Sequence, residues 1–348
     1  MRRYWIRVIS ALVTVLALIT PLQSHALSLF KEAPSTIWGH TYAGKINGAT
    51  QTRPPKVAFV EQKSKFQVTY KNFPDWAKKD FQAAVDIWSA NFSSTVPISI
   101  EASWGRSTSY GVLGSARPGN YFSGFDGAPD QSLWYPSALA NALAGKDLDP
   151  DNPEMVIQVN SMATWDTRND GTPRGNEYDL ESVFLHEMAH GLGFLSTDSY
   201  DTFFGYGTIE QPTPYDAYAQ LSDGRRLSDL PSPSLELGKA LTSTLLWSGS
   251  QGIAANGGVK PVLYTPARYE EGSSVSHIDE TTYANLGANS IMTPNLDAGE
   301  IFREPGALLL GMMEDLRRKP PVGVAVGVAV GSITGPNKIF IQLEFVWK

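Results

Sequence analysis

The stretch His186-Glu187-Met188-Ala189-His190 concentrates more reactive chemistry than any other in this chain of 348 residues. In an α-helix, residues four apart lie one above the other on the same face, so two such imidazoles can each turn a nitrogen toward one ion at about 2.0–2.1 Å. Glu187, beside the first histidine, can reach a water on that ion and serve as general base, then as proton donor. The neighbours Val183, Phe184, Leu185, Met188, Leu192, Phe194 and Leu195 make the helix mostly apolar and hence buried. Burying two imidazoles and a carboxylate without partners is costly, which argues against a helix that merely carries them on its surface. The pattern therefore predicts a zinc site on a core helix that is capped by Asp179 and runs to Leu195.

A catalytic zinc takes three protein ligands and keeps one position for water. The histidines are His25, His40, His186, His190 and His277. His40 stands alone in a non-periodic stretch and reads as a surface or packing residue. A third histidine six residues after the second would fall at position 196, where Ser196 stands. Asp198 and Glu210 are nearby carboxylates that can take that place. His277 is more distant but lies in the Gly/Ser-rich turn from Gly272 to Asp279, where a side chain can be aimed at a fixed target. Met292 follows in Ile291-Met292-Thr293-Pro294, a tight turn able to lay a thioether beneath a metal site. Asp279 either holds His277 in one tautomer or caps a turn. Tyr283 either assists at an oxyanion or simply packs.

Taken together, the run from His186 to Phe194, a long insertion, the turn carrying His277 and the Ser290–Pro294 turn resemble the leishmanolysin-type metzincin metallopeptidases. The resemblance covers about residues 57–318 in organisation. It implies an α+β fold, with a twisted mixed sheet and the active-site helix in the N-terminal part and an irregular C-terminal part ending in a helix. It also implies His186, His190 and His277 as ligands of one catalytic Zn2+, Glu187 as general base, Gly193 as the turn glycine and Met292 under the site. The activity implied is that of a zinc metalloendopeptidase, whose extended protein or peptide substrate lies along an edge strand, sought here within Gly111 to Tyr121. Unlike leishmanolysin itself, the chain has no cysteine. A rival reading from a different class is an exported binding or adhesion module with a structural or vestigial zinc site.

The elements that must position these residues are partly legible. Phe59 followed by Phe66, Val68 and Tyr70 predicts a hairpin turning near Gln62-Lys63-Ser64. Pro74-Asp75 opens a helix, with Asp75 as N-cap and Ala77, Phe81, Ala84, Val85, Trp88 and Phe92 as its core stripe. Ile98, Ile100, Ala102 and Trp104 alternate as a half-buried strand, and Met155 to Val159 forms another. Leu133 to Leu143 reads as a helix that stops at Gly145. Residues 199–276 read as an ordered insertion between the second and third ligands, with a short helix capped by Ser234. A last helix begins at Pro305. Asp166, Asn169, Asp170 and Gly171 form a polar cluster that can be read as a Ca2+ loop, but the spacing fits no such motif and a solvated turn is the preferred reading.

Address and charge complete the picture. Met1 to Ala26, with a basic start, an apolar run and a small-residue end, reads as a signal peptide, which predicts a secreted or periplasmic protein. Its removal takes three arginines and no acids, shifting the net charge from −7 to −10 and disfavouring nucleic acid and anionic membranes as partners. An exported chain without disulfides must rely on core packing, bound metal or both. A metallopeptidase domain is expected over 27–318, a pro-segment is one reading of Leu27 to about Pro55, and 319–348 is a Val/Gly-rich tail without an assigned role.

Overall fold

The computed structural model describes residues 30–45, 61–168, 170, 172–284 and 286–323. The expected signal peptide, the first arm of the expected hairpin around Phe59, and the tail beyond Gly323 lie outside them. The N-terminal part runs β1 (Lys31–Pro34), β2 (Gly39–Ala43), β3 (Phe66–Lys71), α1 (Asp75–Asn91), β4 (Ile98–Gly105), β5 (Val112–Pro118), β6 (Asn120–Ser123), β7 (Tyr135–Pro136), α2 (Ser137–Ala144), β8 (Met155–Asn160) and α3 (Leu180–Leu192). The remainder is made of shorter pieces: β9 (Asp198–Tyr200), β10 (Gly207–Ile209), α4 (Pro214–Tyr218), β11 (Ala219–Leu221), α5 (Leu235–Leu241), β12 (Leu245–Trp247), α6 (Ser250–Ala255), α7 (Glu280–Tyr283), β13 (Asn295–Leu296) and α8 (Gly306–Asp315). The fold is α+β, built on a mixed sheet. Among the described residues, no helix is long and apolar enough to cross a membrane.

The main sheet has the order β13-β2-β5-β8-β4-β3. Strands β3, β4 and β8 run parallel, with Phe66 opposite Ile98 and Ile100 opposite Met155. Strand β5 turns antiparallel to β8, and β2 antiparallel to β5. Period-2 alternation sends Ile98, Ile100, Ala102, Met155, Ile157 and Val159 into the core. Helix α1 buries the predicted stripe, and its Trp88 indole donates to the Leu185 carbonyl of α3 at 2.9 Å. Phe81 meets Phe184 of α3 with ring centroids 4.5 Å apart. The sheet meets α3 through glycines on either side of the contact. A Cβ on Gly191 would fall 2.8 Å from the Met155 sulfur, and one on Gly114 would fall 2.8 Å from Val183.

Several boundaries differ from expectation. Asp75 is the first helical residue rather than the cap, because Pro74 takes the extended cap position with no side-chain bond. Helix α2 begins at Ser137, its expected first turn being spent on β7. Helix α3 stops at Leu192, three residues early, because Gly193 adopts φ +120 and reverses the chain. Strand β3 pairs in parallel with β4, and the expected hairpin partner around Phe59 falls among residues that are not described. The stretch Gly111 to Tyr121, expected to hold an exposed edge, instead supplies β5, which is flanked by β8 on one side and β2 on the other.

The N-terminus of α3 is fastened as predicted, the Asp179 carboxylate accepting from the Ser182 amide at 2.8 Å. The same carboxylate receives a bidentate Arg303 pair at 2.6 and 2.8 Å, and the Arg303 Nε lies 3.1 Å from Glu181. Burial pushes the Glu181 carboxyl up to about 7 against the pull of Arg303. Removing one partner of such a nearly buried set strands the other charges. Arg303→Met is therefore expected to lower unfolding stability by about 3 kcal/mol at neutral pH, measured by urea denaturation. A loss below about 0.5 kcal/mol would show that the cluster does not anchor α3.

Candidate metal centre

Helix α3 places the His186 and His190 rings one turn apart with centroids 4.8 Å apart, and the loop before Ile278 brings in His277. His186 Nδ1 lies 2.5 Å from the Ile291 carbonyl, His190 Nδ1 2.7 Å from that of Phe194, and His277 Nδ1 2.9 Å from that of Ser273. A carbonyl only accepts, so each Nδ1 must carry the proton, which leaves each Nε2 a bare acceptor. The three Nε2 atoms converge, 3.0 Å apart for His186 and His190, 3.1 Å for His186 and His277, and 3.2 Å for His190 and His277. None of the three has a proton to share with the others. Their lone pairs face one another, and a cation relieves that repulsion. Burial holds His186 down to about 4, and burial together with the neighbouring rings holds His190 and His277 well below their ordinary value. The rings are thus neutral at physiological pH, the state a metal requires. The three form the one metal-capable cluster of His, Asp and Glu side chains among the described residues, and a metal ion can be held there.

Glu187 is fully buried beside His186. Its Oε1 accepts from the Thr41 amide at 3.1 Å and the Thr41 hydroxyl at 2.6 Å, whereas Oε2 has no partner. Burial pushes the carboxyl up to about 8 against the pull of the Thr41 bonds. A cation among the three nitrogens would draw it back down.

No family model, curated protein or solved structure matches this chain.

The other residues singled out in the sequence divide clearly. Gly193 turns the chain so that the Phe194 carbonyl returns to His190, and a Cβ there would press on Pro136 at 2.8 Å. Met292 is buried, its carbonyl accepts from Ile278 at 3.0 Å, and the preceding carbonyl is the one that holds His186. Asp279 does not orient His277. Its carboxylate caps α7 through the Thr282 amide and hydroxyl at 2.8 and 2.6 Å, and the Ser273 carbonyl does the orienting. Tyr283 packs, its hydroxyl accepting from the Val262 amide at 3.2 Å. His40 also packs, its ring 2.7 Å from the Ser115 hydroxyl. Glu210 is exposed, and neither it nor Asp198 belongs to the histidine cluster. In the polar loop, Asp166 is engaged by Arg168 at 2.7 Å and Asp170 by Thr172, which spends the described carboxylates of the calcium reading locally; Asn169 and Gly171 lie outside the described residues.

Two parts of the centre had no sequence signal. One is the approach of Thr41 to Glu187 from a stretch without periodicity. The other is the network around buried Asp216, which accepts from Ser196 at 2.6 Å, Thr197 at 3.1 Å and Thr213 at 2.7 Å. The Ser196 amide in turn donates to the Ser276 hydroxyl at 3.1 Å, tying the end of α3 to the loop of His277. Asp198 beside it has a buried oxygen without a partner, and burial pushes its carboxyl up to about 7.

Two outcomes follow from this geometry. Metal analysis after dialysis is expected to find one ion per chain, lost in His277→Ala and kept in Glu210→Ala and Asp279→Ala; retention in His277→Ala would remove His277 from the centre. The second concerns Asp198, whose raised folded pKa means that the fold favours the protonated acid. Its stabilising contribution is complete below the ordinary carboxylate value of 3.8 and is lost as pH rises through about 7. Asp198→Asn is expected to be more stable than the parent by roughly 2–4 kcal/mol at pH 8, with the difference vanishing below about pH 4. Thermal unfolding at the two pH values reads this directly, and equal gaps at both would refute it.

Proposed function

We propose that this chain is a zinc-dependent endopeptidase of the metzincin type, exported from the cell, that hydrolyses peptide bonds in proteins or peptides. The observation that carries the proposal is the convergence of three deprotonated Nε2 atoms beside a carboxylate with one unpaired oxygen. Ligand nitrogens on a tetrahedral zinc with bonds of about 2.05 Å lie about 3.3 Å apart, close to the 3.0–3.2 Å separations here. Zinc in that position would lower the pKa of a bound water and polarise a scissile carbonyl.

The chain's own residues supply the rest. His186, His190 and His277 would hold the ion, each kept in one tautomer by its carbonyl. Glu187 takes the proton of the attacking water through its free oxygen and hands it to the leaving amine. Gly193 and the Ile291–Met292 turn set the ring orientations. The mixed sheet lying on α3, the third histidine arriving after an insertion, and the methionine turn beneath the first histidine support the metzincin assignment.

Complete burial of His190 and His277 favours one rival, a structural metal in an exported binding module. A closed structural site takes four protein ligands, and the cluster here has three. Glu187→Gln separates the two readings. On the peptidase reading it keeps one zinc per chain and lowers hydrolysis of an internally quenched peptide by about 10³-fold or more. Parental turnover in that variant would sink the proposed mechanism.

A further inference from the structure

A peptidase centre has to admit a polypeptide, yet Glu187, His190 and His277 are each 0% exposed and His186 3%. What closes the site over Glu187 and His190 is strand β2. It lies antiparallel on β5, with Gly39 opposite Ala116, His40 opposite Ser115 and Thr41 opposite Gly114. Alternate residues face α3. Gly39 presses on the His190 ring so closely that a Cβ would fall 2.4 Å from it, and Thr41 gives both its amide and its hydroxyl to Glu187. His40 points the other way, to Ser115. The outer edge of β2 is held as well, the His40 amide donating to the Gly272 carbonyl at 3.0 Å and the Tyr42 amide to that of Pro294 at 2.9 Å. Short contacts therefore join β2 to four places: β5, the base, the loop carrying His277 and the Met292 turn.

This is the posture of an extended peptide that adds a strand to a sheet edge, with main-chain bonds holding it and alternate side chains reading the groove. Among the described residues, the groove over the metal centre already has an occupant from the same chain. We propose that β2 is an intramolecular blocker of the metal centre, seated where an extended peptide would pair with β5 and engaging one oxygen of the catalytic carboxylate through Thr41, and that the centre works only when β2 lifts from β5. The inference rests on the peptidase reading. In a chain without cysteine it supplies latency by strand addition and a hydroxyl, with no thiolate on the metal.

Because the chain has no cysteine, β2 can be locked selectively. His40→Cys with Ser115→Cys joins residues directly opposite in the ladder, whose Cα separation of about 4.5–5.5 Å suits a disulfide. The zinc-loaded full chain is compared oxidised and after reduction with a phosphine. Two readouts are taken: zinc release to a chromogenic chelator, and hydrolysis of an internally quenched peptide. Oxidation is expected to slow both by at least about tenfold, reversibly, since a locked strand removes the open population. Tyr42→Pro, which deletes the bond to Pro294, is expected to speed both several-fold and serves if the double variant does not fold. Equal zinc release in the locked and reduced forms, or no change in Tyr42→Pro, overturns the blocker. If release responds to the lock but neither form hydrolyses peptide, the blocker stands and the peptidase reading falls. If both forms hydrolyse equally and Glu187→Gln is dead, the peptidase reading stands and the blocker falls.

Discussion

Three backbone carbonyls, those of Ile291, Phe194 and Ser273, aim the three imidazoles, and most of the tertiary structure serves to deliver them. An imidazole has two equivalent-looking nitrogens, and only a partner on one of them decides which way the other offers its lone pair. Each carbonyl comes from a different local device. Phe194 follows the Gly193 reversal at the end of α3, Ser273 lies four residues before the histidine it holds, and Ile291 belongs to the turn before β13. A shift in any one would rotate a ring and spoil a convergence that spans 3.0–3.2 Å.

Buried polar groups around the centre serve the same end. Asp216 collects hydroxyls from Ser196, Thr197 and Thr213, and Ser196 passes the restraint to Ser276, the residue before His277. The segment between His190 and His277 is thus a brace: it brings Asp216 back to Ser196 and Thr197 just after α3 and returns the chain so that His277 meets two rings fixed some ninety residues earlier. Arg303 does the equivalent at the other end of the helix, joining the C-terminal segment to Asp179 and Glu181. Helix α3 is held at both ends by side chains distant in sequence.

How much of this was legible in the sequence follows from the range of the interactions. The helix stripes of α1 and α3, the strands β4 and β8, the Asp179 cap and the Ser234 cap were all readable because each depends on neighbours within one or two turns. The pairing of His186 with His190 on one helix face was readable for the same reason. His277 was nameable through resemblance and its turn, but its approach to the other two is a tertiary fact. Proximity in sequence left Asp279 with two readings, a partner for His277 or a turn cap, and the structure takes the second. A short helix begins there, and the nearest amide and hydroxyl, those of Thr282, take its carboxylate first.

What the sequence by itself determined is therefore the local chemistry: a buried helix with two imidazoles and a carboxylate at ligand spacing, and a glycine able to reverse the chain after it. What only the tertiary structure decided is access and polarity. Strand β2 carries no periodic signal, yet its pairing with β5 places Gly39 on the His190 ring and Thr41 on Glu187. The physical reason is that strand pairing is satisfied by backbone groups common to every residue. Which segment claims an open edge is settled by the shape of the groove and by the long-range contacts around it, here the Glu187 carboxylate that takes Thr41 and the carbonyls of Gly272 and Pro294.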